Sequence, residues 1–343
     1  MHNQHHLLAA RARTISLPEI AGWDDETVRA TFRKLRWPET DGDPVCPRCG
    51  CIDHYYLGTR EQWRCKGCGY TFSITSGTWL ASTKLPLRTI LIAMVTLANA
   101  VKGMSALQLM RQLGVQYKTA YVLYLKLRDA LWQTRDPFPA MTGQVEMDGA
   151  YMNPSKRYPN KVEDRQEKTT SSKRPKQCIL AMRKRSPHGG GQETRVKVVT
   201  EENSADIMDF AMDNIAGGTE VITDEHSGYT DLRAYFKHTR VNHSIHFMGP
   251  AGENTNIVES LFSRLRRCVW GQVHQISAQK LYLYANEIAY REDARKWDNR
   301  RIAFDMLGRM LTLEDDDKKP RFRGYWGDYR IRKGGGVSLG VAA

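Results

Sequence analysis

The sequence contains no apolar run long enough to cross a membrane. A helix that spans a bilayer needs roughly 20 consecutive apolar residues. The longest apolar stretch, residues 89–101, is shorter than this and is interrupted by Thr96 and Asn99. The sequence therefore excludes a membrane-spanning helix and predicts no membrane partner.

A secretion signal is also missing from the N-terminal residues. This segment has three early histidines but neither the apolar core nor the small-residue cleavage site of a signal peptide. We therefore expect a cytoplasmic protein.

Acidic residues are scarce relative to basic ones. The chain of 343 residues has 51 Lys and Arg against 38 Asp and Glu, which gives a net charge of +13. Such an excess attracts polyanions, and neutralised phosphates supply much of the energy of nucleic-acid binding. A basic enzyme with another substrate would show the same charge. The hydrophobic fraction of 41% is ordinary, and the length is typical of two or three globular domains.

Cysteine is concentrated in one part of the chain. Five of the seven cysteines fall within 23 residues, which in a cytosolic protein indicates metal binding rather than disulfides. Two Cys-x-x-Cys pairs place two thiolates on each of two tight turns, and together they complete a tetrahedral zinc site. The predicted ligands are Cys46, Cys49, Cys65 and Cys68. This zinc is structural, because four thiolates leave no open position, and Cys51 is a bystander in this interpretation.

The zinc ribbon is predicted over residues 44–80, after a helical segment within residues 1–43. Residues 85–135 are predicted to be helical, with Pro86 in the first turn of one helix, Ser105 capping a second over 106–113, and Gly114 turning the chain into a third over 117–131. Two helices joined by a short Gly-containing turn are typical of a helix-turn-helix, although a plain helical bundle fits the same pattern.

Residues 143–295 alternate strand-like and helix-like segments. Strands are predicted at 144–148, 177–183, 194–200, 219–224 and 240–242, and helices at 204–215, 257–269 and 281–291. This order predicts a mixed β-sheet flanked by helices, so the whole chain is a multidomain α/β protein. A polar, basic insertion at 155–177 is predicted to be a flexible loop. It could contact the DNA backbone, or it could be a disordered loop without a role in binding. A C-terminal helix and a tail rich in basic and aromatic residues follow at 296–343.

Three acids in this region are candidates for chemistry. Asp148 and Asp224 each end a predicted strand, where open sheets place their ligands, although a solvated acid is common there too. Glu259 lies on a predicted amphipathic helix with Arg266 two turns further on the same face. The same glutamate also fits a capping box with Asn256 as the N-cap.

Three carboxylates at one sheet edge can hold two divalent ions. Such ions activate a water or a 3′-hydroxyl and stabilise the leaving oxygen of an in-line displacement at phosphorus. Mg²⁺ prefers hard oxygen ligands, so Mg²⁺ or Mn²⁺ is the expected catalytic cofactor. Arg266 could then contact the phosphate.

At this point the chain resembles the bacterial insertion-sequence transposases with an N-terminal zinc ribbon and a DDE-type, ISXO-like catalytic domain. The resemblance covers about residues 40–295. It rests on the order and spacing of several motifs, which are the ribbon with Tyr70-Thr71-Phe72 and Thr75-Ser76-Gly77-Thr78, Lys102-Gly103-Met104-Ser105, Val145-Glu146-Met147-Asp148 with Tyr151, Thr223-Asp224 with Tyr229, Val241-Asn242-His243-Ser244, Asn254-Thr255-Asn256 with Ile257-Val258-Glu259-Ser260, Arg266-Arg267 with Gly271 and His274, and Glu287 with Arg291.

The resemblance implies an RNase H-like catalytic domain and a bacterial, nucleoid-associated enzyme. Its substrates would be double-stranded DNA, both the inverted repeats of its own element and the target, and it would assemble as a homodimer or larger complex. Asp148 and Asp224 would be the first two catalytic acids. In this family the third position is often an asparagine, so Asn256 competes with Glu259, and we favour Glu259 for its charge.

Two further departures affect the expected site. Gly149 stands where the family leads us to expect a second acid, and Arg266 replaces a lysine, which keeps the charge but changes the shape. His274 could orient a phosphate or transfer a proton, although a lone histidine is often structural. The expected DNA contacts are Lys118, Thr119, Tyr121, Lys126, Arg128, Arg264 and Arg267.

Three other functions fit parts of this pattern. A non-enzymatic DNA-binding regulator would explain the charge but not three acids at strand and helix ends. An inactivated transposase is disfavoured because the acids are intact. A Holliday junction resolvase has the same type of fold but little need for the two N-terminal DNA-binding modules.

Overall fold

The computed structural model describes residues 8–135, 139–152, 176–187, 189–241 and 254–312. The chain divides into two compact units. Unit 1 combines Met1–Thr134 with Lys296–Ala343, and unit 2 is Arg135–Arg295. The central part of the predicted insertion, residues 242–244 and the basic aromatic tail lie outside the described residues.

The described residues of unit 1 form a small antiparallel sheet and six α-helices. The sheet has the order β1-β2-β3, formed by His54–Leu57, Gln62–Cys65 and Thr71–Phe72. Trp63 on β2 is buried between Trp37 and Phe72. The helices are α1 (Leu17–Ala21), α2 (Asp25–Arg36), α3 (Leu87–Asn99), α4 (Ala106–Leu113), α5 (Tyr117–Gln133) and α9 (Asn299–Leu311).

Helix α9 is far along the chain but packs against α2, α3 and α5. Its first residue, Asn299, accepts hydrogen bonds from the backbone N–H groups of Thr14 and Ile15 at 2.8 and 3.1 Å. The C-terminal helix therefore closes onto the N-terminal segment, which explains why the two ends of the chain belong to one unit.

Unit 2 is built on a five-stranded sheet of order β6-β5-β4-β7-β8. Its first three strands are antiparallel, whereas β7 and β8 run parallel to β4 and β7, respectively. The strands are β4 (Gln144–Met152), β5 (Gln177–Arg185), β6 (Gly191–Val199), β7 (Glu220–Thr223) and β8 (Lys237–Arg240). The predicted mixed sheet is confirmed.

Helices cover both faces of this sheet. They are α6 (Ser204–Asn214), α7 (Asn256–Cys268) and α8 (Leu281–Asp293). Val145 and Met147 point into a core shared with α6, whereas Ala150 and Met152 belong to a second core with α7 and α8. Residues of β4 therefore alternate between the two helical layers, as a strand period of two requires.

Two strand predictions are corrected. The last strand was predicted at 240–242, but β8 ends at Arg240. Asp148 was predicted to end its strand, but β4 continues to Met152, which pairs with Gln177 on β5. The hydrogen bonds of β5 extend the strand beyond the point at which Gly149 interrupts its sequence pattern.

Candidate zinc and carboxylate sites

Four thiols of unit 1 converge, as the Cys-x-x-Cys spacing predicts. The Sγ atoms of Cys46 and Cys68 lie 3.6 Å apart, those of Cys49 and Cys65 lie 3.5 Å apart, and all four sulfurs lie within 4.8 Å of one another. This arrangement fits one tetrahedral zinc ion. The predicted zinc ribbon is confirmed.

The backbone prepares one of these thiols for ionisation. The N–H of Cys68 donates to Cys65 Sγ at 3.4 Å, and this bond is the main reason why the pKa of the Cys65 thiol falls to about 6. A thiolate is the form that binds metal. Cys51 lies outside the four-thiol cluster and directs its Sγ at the carbonyl of Asp53, at 3.7 Å, as expected of a bystander.

Helices α4 and α5 adopt the predicted bounds at their junction. The Ser105 hydroxyl accepts from the N–H of Gln108, and Gly114 ends α4 in the left-handed conformation with φ 64°. Gln116 and Tyr117 at the start of α5 are exposed, and Lys118, Thr119 and Tyr121 are half-buried. The first turns of α5 are therefore partly accessible, and its last turn is exposed at Trp132 and Gln133.

One expected DNA contact on α5 is not accessible. Arg128 is only 2% exposed, and its guanidinium stacks 3.7 Å from the centre of the Tyr124 ring. The expectation that Arg128 is exposed was wrong, because its charge is packed against an aromatic face inside the unit. Lys126 is half-buried, with its Nζ 3.5 Å from the carbonyl of Ala81.

The two predicted catalytic aspartates of unit 2 belong to neighbouring parallel strands or their ends. Parallel pairing of β4 with β7 matches Glu146 with Ile222. Continuing this register by two residues sets Asp148 beside Asp224, just after β7 ends at Thr223. Asp148 thus lies in the middle of β4, at about the level where the parallel strand β7 ends.

A second acid of β4 holds the helix that carries Glu259. Glu146 is fully buried, and its Oε2 accepts hydrogen bonds from the backbone N–H groups of Ile257 and Val258 at 2.8 and 3.0 Å. Its Oε1 accepts from Arg185 Nε at 2.8 Å. Burial raises the pKa of Glu146 although these three donors favour its charged form.

The capping box that was the alternative interpretation of Glu259 is absent. Thr255, rather than Asn256, is the N-cap, and no cap side-chain hydrogen bond is formed. Glu146 takes this role, because its carboxylate satisfies two of the free N–H groups and stabilises the positive end of the helix dipole. One strand therefore supports both Asp148 and the N-terminus of α7.

Both candidates for the third position lie on the exposed face of the first turn of α7. Asn256 and Glu259 are exposed, whereas Val258 between them is buried. Glu259 Oε1 accepts a hydrogen bond from Thr255 Oγ1 at 2.8 Å. Its charge is one of the causes that raise the pKa of Asp148, which places the Glu259 carboxylate near the aspartates.

The remaining predicted residues lie along or after α7. Arg266 is half-buried, and Arg267 is exposed. Arg264 is ion-paired with Glu292, so this guanidinium is already engaged within unit 2.

His274 is exposed and follows a π-helical turn, Val269–Val273. Its φ of 61° is unusual for a residue other than glycine. Strained residues and π-turns concentrate at functional sites, which is compatible with the predicted role of His274.

The surroundings of Asp148 are strongly acidic. Burial is the main cause that raises the pKa of Asp148 to about 8, and the charges of Asp224, Glu202 and Glu259 add to it. The principal opposing effect is the N–H of Gly149, which donates to Asp148 Oδ1 at 2.7 Å. Concentrated hard oxygen donors with excess negative charge are the chemistry that a divalent cation such as Mg²⁺ prefers.

The carboxylates are spread more widely than the thiols. Among the described residues, one group of at least three His, Cys, Asp or Glu side chains has its ligand atoms within 4.8 Å of one another, and this group is the four cysteines. Two ions about 3.5 to 4 Å apart need ligands over a wider area than one ion does. Within the described residues, the carboxylates of unit 2 form no such converging group, so their suitability for divalent cations rests on the chemistry of hard oxygen donors alone.

One acid of this group was missed by the sequence analysis. Glu202 lies in the turn between β6 and α6, and its Oε1 accepts a hydrogen bond from Tyr229 Oη at 2.5 Å. The signal was available, because Glu202 follows a predicted strand closely and precedes Asn203, the N-cap of α6.

No described helix has the length and apolar character needed to cross a bilayer. Residues 23–71 match the transposase zinc-ribbon domain, and residues 140–293 match the ISXO2-like transposase domain. Together these two models cover more than half of the chain. No curated protein matches it. The chain belongs to the insertion-sequence transposases in which a zinc ribbon precedes an ISXO2-like transposase domain.

Proposed function

We propose that this transposase binds the terminal inverted repeats of its element and catalyses metal-dependent DNA strand cleavage and strand transfer. The observation that carries the proposal is the parallel register of β4 and β7, in which Glu146 pairs with Ile222, so that Asp148 and Asp224 each lie two residues beyond this pair. The helix that carries Glu259 is tied to the same strand through Glu146.

The proposed ligands of two Mg²⁺ or Mn²⁺ ions are Asp148, Asp224 and Glu259. When bound, such ions activate the attacking oxygen and stabilise the leaving oxygen of an in-line displacement at phosphorus. Glu259 is favoured over Asn256 because its charge acts on Asp148. Glu146 serves as a positioning residue. It lies buried on β4 and binds the backbone at the start of α7.

Two further residues complete the proposed catalytic machinery. Arg266 would contact a DNA phosphate, since its guanidinium offers a planar set of donors. His274 would orient the same backbone or transfer a proton. Arg267, exposed at the end of α7, would contribute to phosphate neutralisation.

DNA would be recognised by unit 1. We propose that α4 and α5 form a helix-turn-helix, in which the first turns of the second helix contact base edges. The half-buried Lys118, Thr119 and Tyr121 lie in these turns, beside the exposed Gln116 and Tyr117. Joining two ends of one element requires both to be held at once, so we propose a homodimer or larger assembly on DNA.

The proposal is tested with full-length protein, Mg²⁺ and a labelled duplex that carries the ends of the element. Wild type is compared with Asp148→Asn, Asp224→Asn, Glu259→Gln and Asn256→Ala, and Glu225→Gln is the control because Glu225 is an exposed neighbour of Asp224. Nicked and joined products are separated on a denaturing gel.

Wild type and Glu225→Gln are expected to cleave and join, and both aspartate variants to lose at least about 1000-fold in rate, as removal of a catalytic group typically does. The Glu259→Gln and Asn256→Ala lanes decide the third position. Tight binding of the ends without cleavage by wild type would contradict the enzymatic proposal and favour a DNA-binding regulator.

A further inference from the structure

We propose that Trp270 stacks on an unpaired base of a DNA strand that runs along the exposed side of α7. This inference rests on the proposed function, because it names a DNA contact beside the same catalytic residues. Trp270 is 70% exposed, more than any other large hydrophobic side chain among the described residues. A single exposed hydrophobic side chain needs no explanation by itself, so the argument depends on what holds Trp270 and what lies beside it.

The backbone holds the indole of Trp270 away from the core. Trp270 belongs to the π-helical turn that follows α7. Val269 and Ile276 are buried in the core that α7 and α8 share, and Val273 packs against this core. The N–H of His274 donates to the carbonyl of Val269 at 2.6 Å, which closes the turn. The anchored neighbours of Trp270 therefore fix the turn in a form that presents the indole to solvent.

A row of exposed and half-buried side chains leads from the proposed metal ligand to Trp270. Its members are spaced by three and four residues, which places side chains on one face of a helix. The row consists of Asn256, Glu259, Ser263, Arg266 and Trp270. At 1.5 Å per residue, Glu259 and Trp270 are about 16 Å apart along the helix axis, which is the length of about five base-pair steps of DNA. One short segment of DNA can therefore reach both residues.

Two arginines give this row the charge that a DNA strand requires. Arg266 and Arg267 precede Trp270 by four and three residues, so they lie in the adjoining turn. Arg264 is ion-paired with Glu292, whereas Arg266 and Arg267 have no carboxylate partner among the described residues. Their guanidiniums can therefore pair with phosphates. Basic side chains beside an aromatic ring are the combination with which proteins hold the phosphates of a strand and stack on its bases.

An unpaired base fits this arrangement better than a protein partner does. A Cβ atom added to Gly271 would meet nothing within 4 Å, so the space next to the indole is open to a flat ligand. A protein partner would have to cover Glu259 and both arginines as well, and charged residues are depleted from the centres of protein interfaces. Inside a duplex, both faces of a base are covered by its neighbours. The base that stacks on Trp270 is therefore unpaired.

A binding measurement with full-length, zinc-loaded protein tests this contact. The labelled probe is a DNA duplex with an unpaired oligothymidine overhang, and its binding is followed by fluorescence anisotropy without added Mg²⁺ or Mn²⁺. A relaxed, covalently closed circular duplex has neither ends nor unpaired bases, and its affinity is measured by competition. Wild type is compared with Trp270→Ala, Trp270→Phe and Tyr235→Ala. Tyr235 provides the matched control, because it is a 55% exposed aromatic residue of unit 2 outside the row.

We expect Trp270→Ala to weaken binding of the overhang probe by about 5- to 100-fold, the usual effect of removing one stacked aromatic side chain. The affinity for the closed circle should not change. Trp270→Phe keeps an aromatic ring and should lose less affinity than Trp270→Ala, and Tyr235→Ala should bind both DNAs like wild type. Thermal unfolding of each variant shows that the fold is retained.

A fluorescent base locates the contact directly. 2-Aminopurine, whose fluorescence is quenched by stacking, replaces one thymine of the overhang at a time. Wild type should quench the fluorescence at one position, and saturating Trp270→Ala should leave it bright. Quenching that persists in Trp270→Ala would show that another residue stacks on the base and would overturn the assignment.

Two other results would contradict the inference. Equal weakening of both DNAs by Trp270→Ala would indicate a lost backbone contact, because the backbone is present in paired and unpaired DNA alike. If Trp270→Ala instead converts an oligomeric wild type into a monomer by light scattering while both DNAs bind as before, the row is an interface between subunits.

The outcomes also separate this inference from the function on which it rests. If wild type does not cleave the ends of the element but Trp270→Ala still loses affinity for the overhang probe alone, the DNA contact stands and the catalytic proposal fails. If wild type cleaves and Trp270→Ala binds the overhang probe as tightly as Tyr235→Ala does, only the role of Trp270 is wrong.

Discussion

The zinc and carboxylate sites differ in how their ligands are brought together. The four thiols come from 23 residues on two turns, and their sulfurs lie within 4.8 Å of one another. The candidate carboxylates come from β4, from the residue after β7 and from α7, between residues 148 and 259. The first site is local, whereas the second exists only after the sheet and helices of unit 2 have formed.

This difference predicts that the ligand side chains of the two sites have opposite effects on the stability of the fold. A structural zinc supplies folding energy to a domain too small to hold itself together. Asp148 instead opposes the fold, because burial and the neighbouring acids disfavour its charge and raise its pKa. Loss of a ligand should therefore destabilise the ribbon and stabilise the metal-free catalytic unit.

The largest effect is expected at the ribbon. Cys65→Ser removes one thiolate, and the ribbon should lose zinc and unfold, because structural zinc contributes roughly 10 to 16 kcal/mol in comparable small domains. Zinc content by mass spectrometry should fall from one ion per chain to near zero, and residues 44–80 should become sensitive to protease. Cys51→Ser is the control and should keep its zinc, and loss of zinc there would show that Cys51 is a ligand.

The next largest effect concerns Glu146, an acid of the carboxylate region that supports the fold. Glu146→Ala leaves Arg185 and the N–H groups of Ile257 and Val258 without their acceptor. Breaking a buried pair in this way typically costs about 3 to 5 kcal/mol. Urea unfolding should show this loss, and amide exchange at 257 and 258 should accelerate.

Glu220→Ala is the control for this experiment. Its carboxylate also accepts a hydrogen bond from β4, from Gln144 at 2.8 Å, but at an exposed position. The expected change in the free energy of unfolding is within about 0.5 kcal/mol. Equal losses in the two variants would contradict the assigned role of Glu146.

Asp148→Asn should have the opposite sign. The folded state raises the pKa of Asp148 from 3.8 to about 8, so its carboxylate destabilises the fold increasingly as the pH rises from about 4 to 8. At pH 8.5 in EDTA, we expect the asparagine variant to be more stable by roughly 2 to 4 kcal/mol, measured by urea unfolding.

Mn²⁺ should reverse this ranking, because only wild type gains stability from bound metal. Glu225→Gln, an exposed neighbour of Asp224, should change stability little in either buffer. If Asp148→Asn proved less stable than wild type in EDTA, the claim that the Asp148 carboxylate destabilises the metal-free fold would be wrong.

The smallest effect is expected at Asp293, away from both metal sites. Its Oδ2 accepts a hydrogen bond from the N–H of Thr194 at 3.1 Å, yet burial raises its pKa from 3.8 to about 6. Wild type should therefore lose stability as the pH rises from about 4 to 6. Asp293→Asn should be more stable by about 1 to 3 kcal/mol at pH 7.5 and nearly equal to wild type at pH 4. Exposed Asp213→Asn should show no such difference.

Local features of the fold were predicted well. The bounds of α4 were correct because a capping serine and a left-handed glycine are both readable in the sequence. The strand β8 was misplaced, because Lys-His-Thr-Arg has no apolar alternation and becomes a strand through its pairing with β7. Arg128 was placed on the surface by its charge, whereas its stacking on Tyr124 depends on tertiary packing.

In the candidate site, too, local features were predicted from the sequence and features that depend on tertiary contacts were not. The sequence pattern placed Asp224 correctly after its strand, whereas Asp148 lies within β4, which continues to Met152. Glu202 was missed because its neighbour, Gly149, is distant along the chain. The role of Glu146 was likewise invisible, since a fully buried acid in a strand gains its partners from α7 and β5.

The hydrogen bonds between Glu146 and the start of α7 have a consequence for identifying active-site residues by genetics. A screen that scores only loss of transposition would rank Glu146 with the catalytic acids, because releasing the helix displaces Glu259. The two groups separate when each variant is scored for protein abundance as well, since Glu146 variants should be depleted in the cell and Asp148 variants should accumulate normally. Loss of transposition without loss of protein abundance is thus the result expected for the proposed metal-binding acids of this chain.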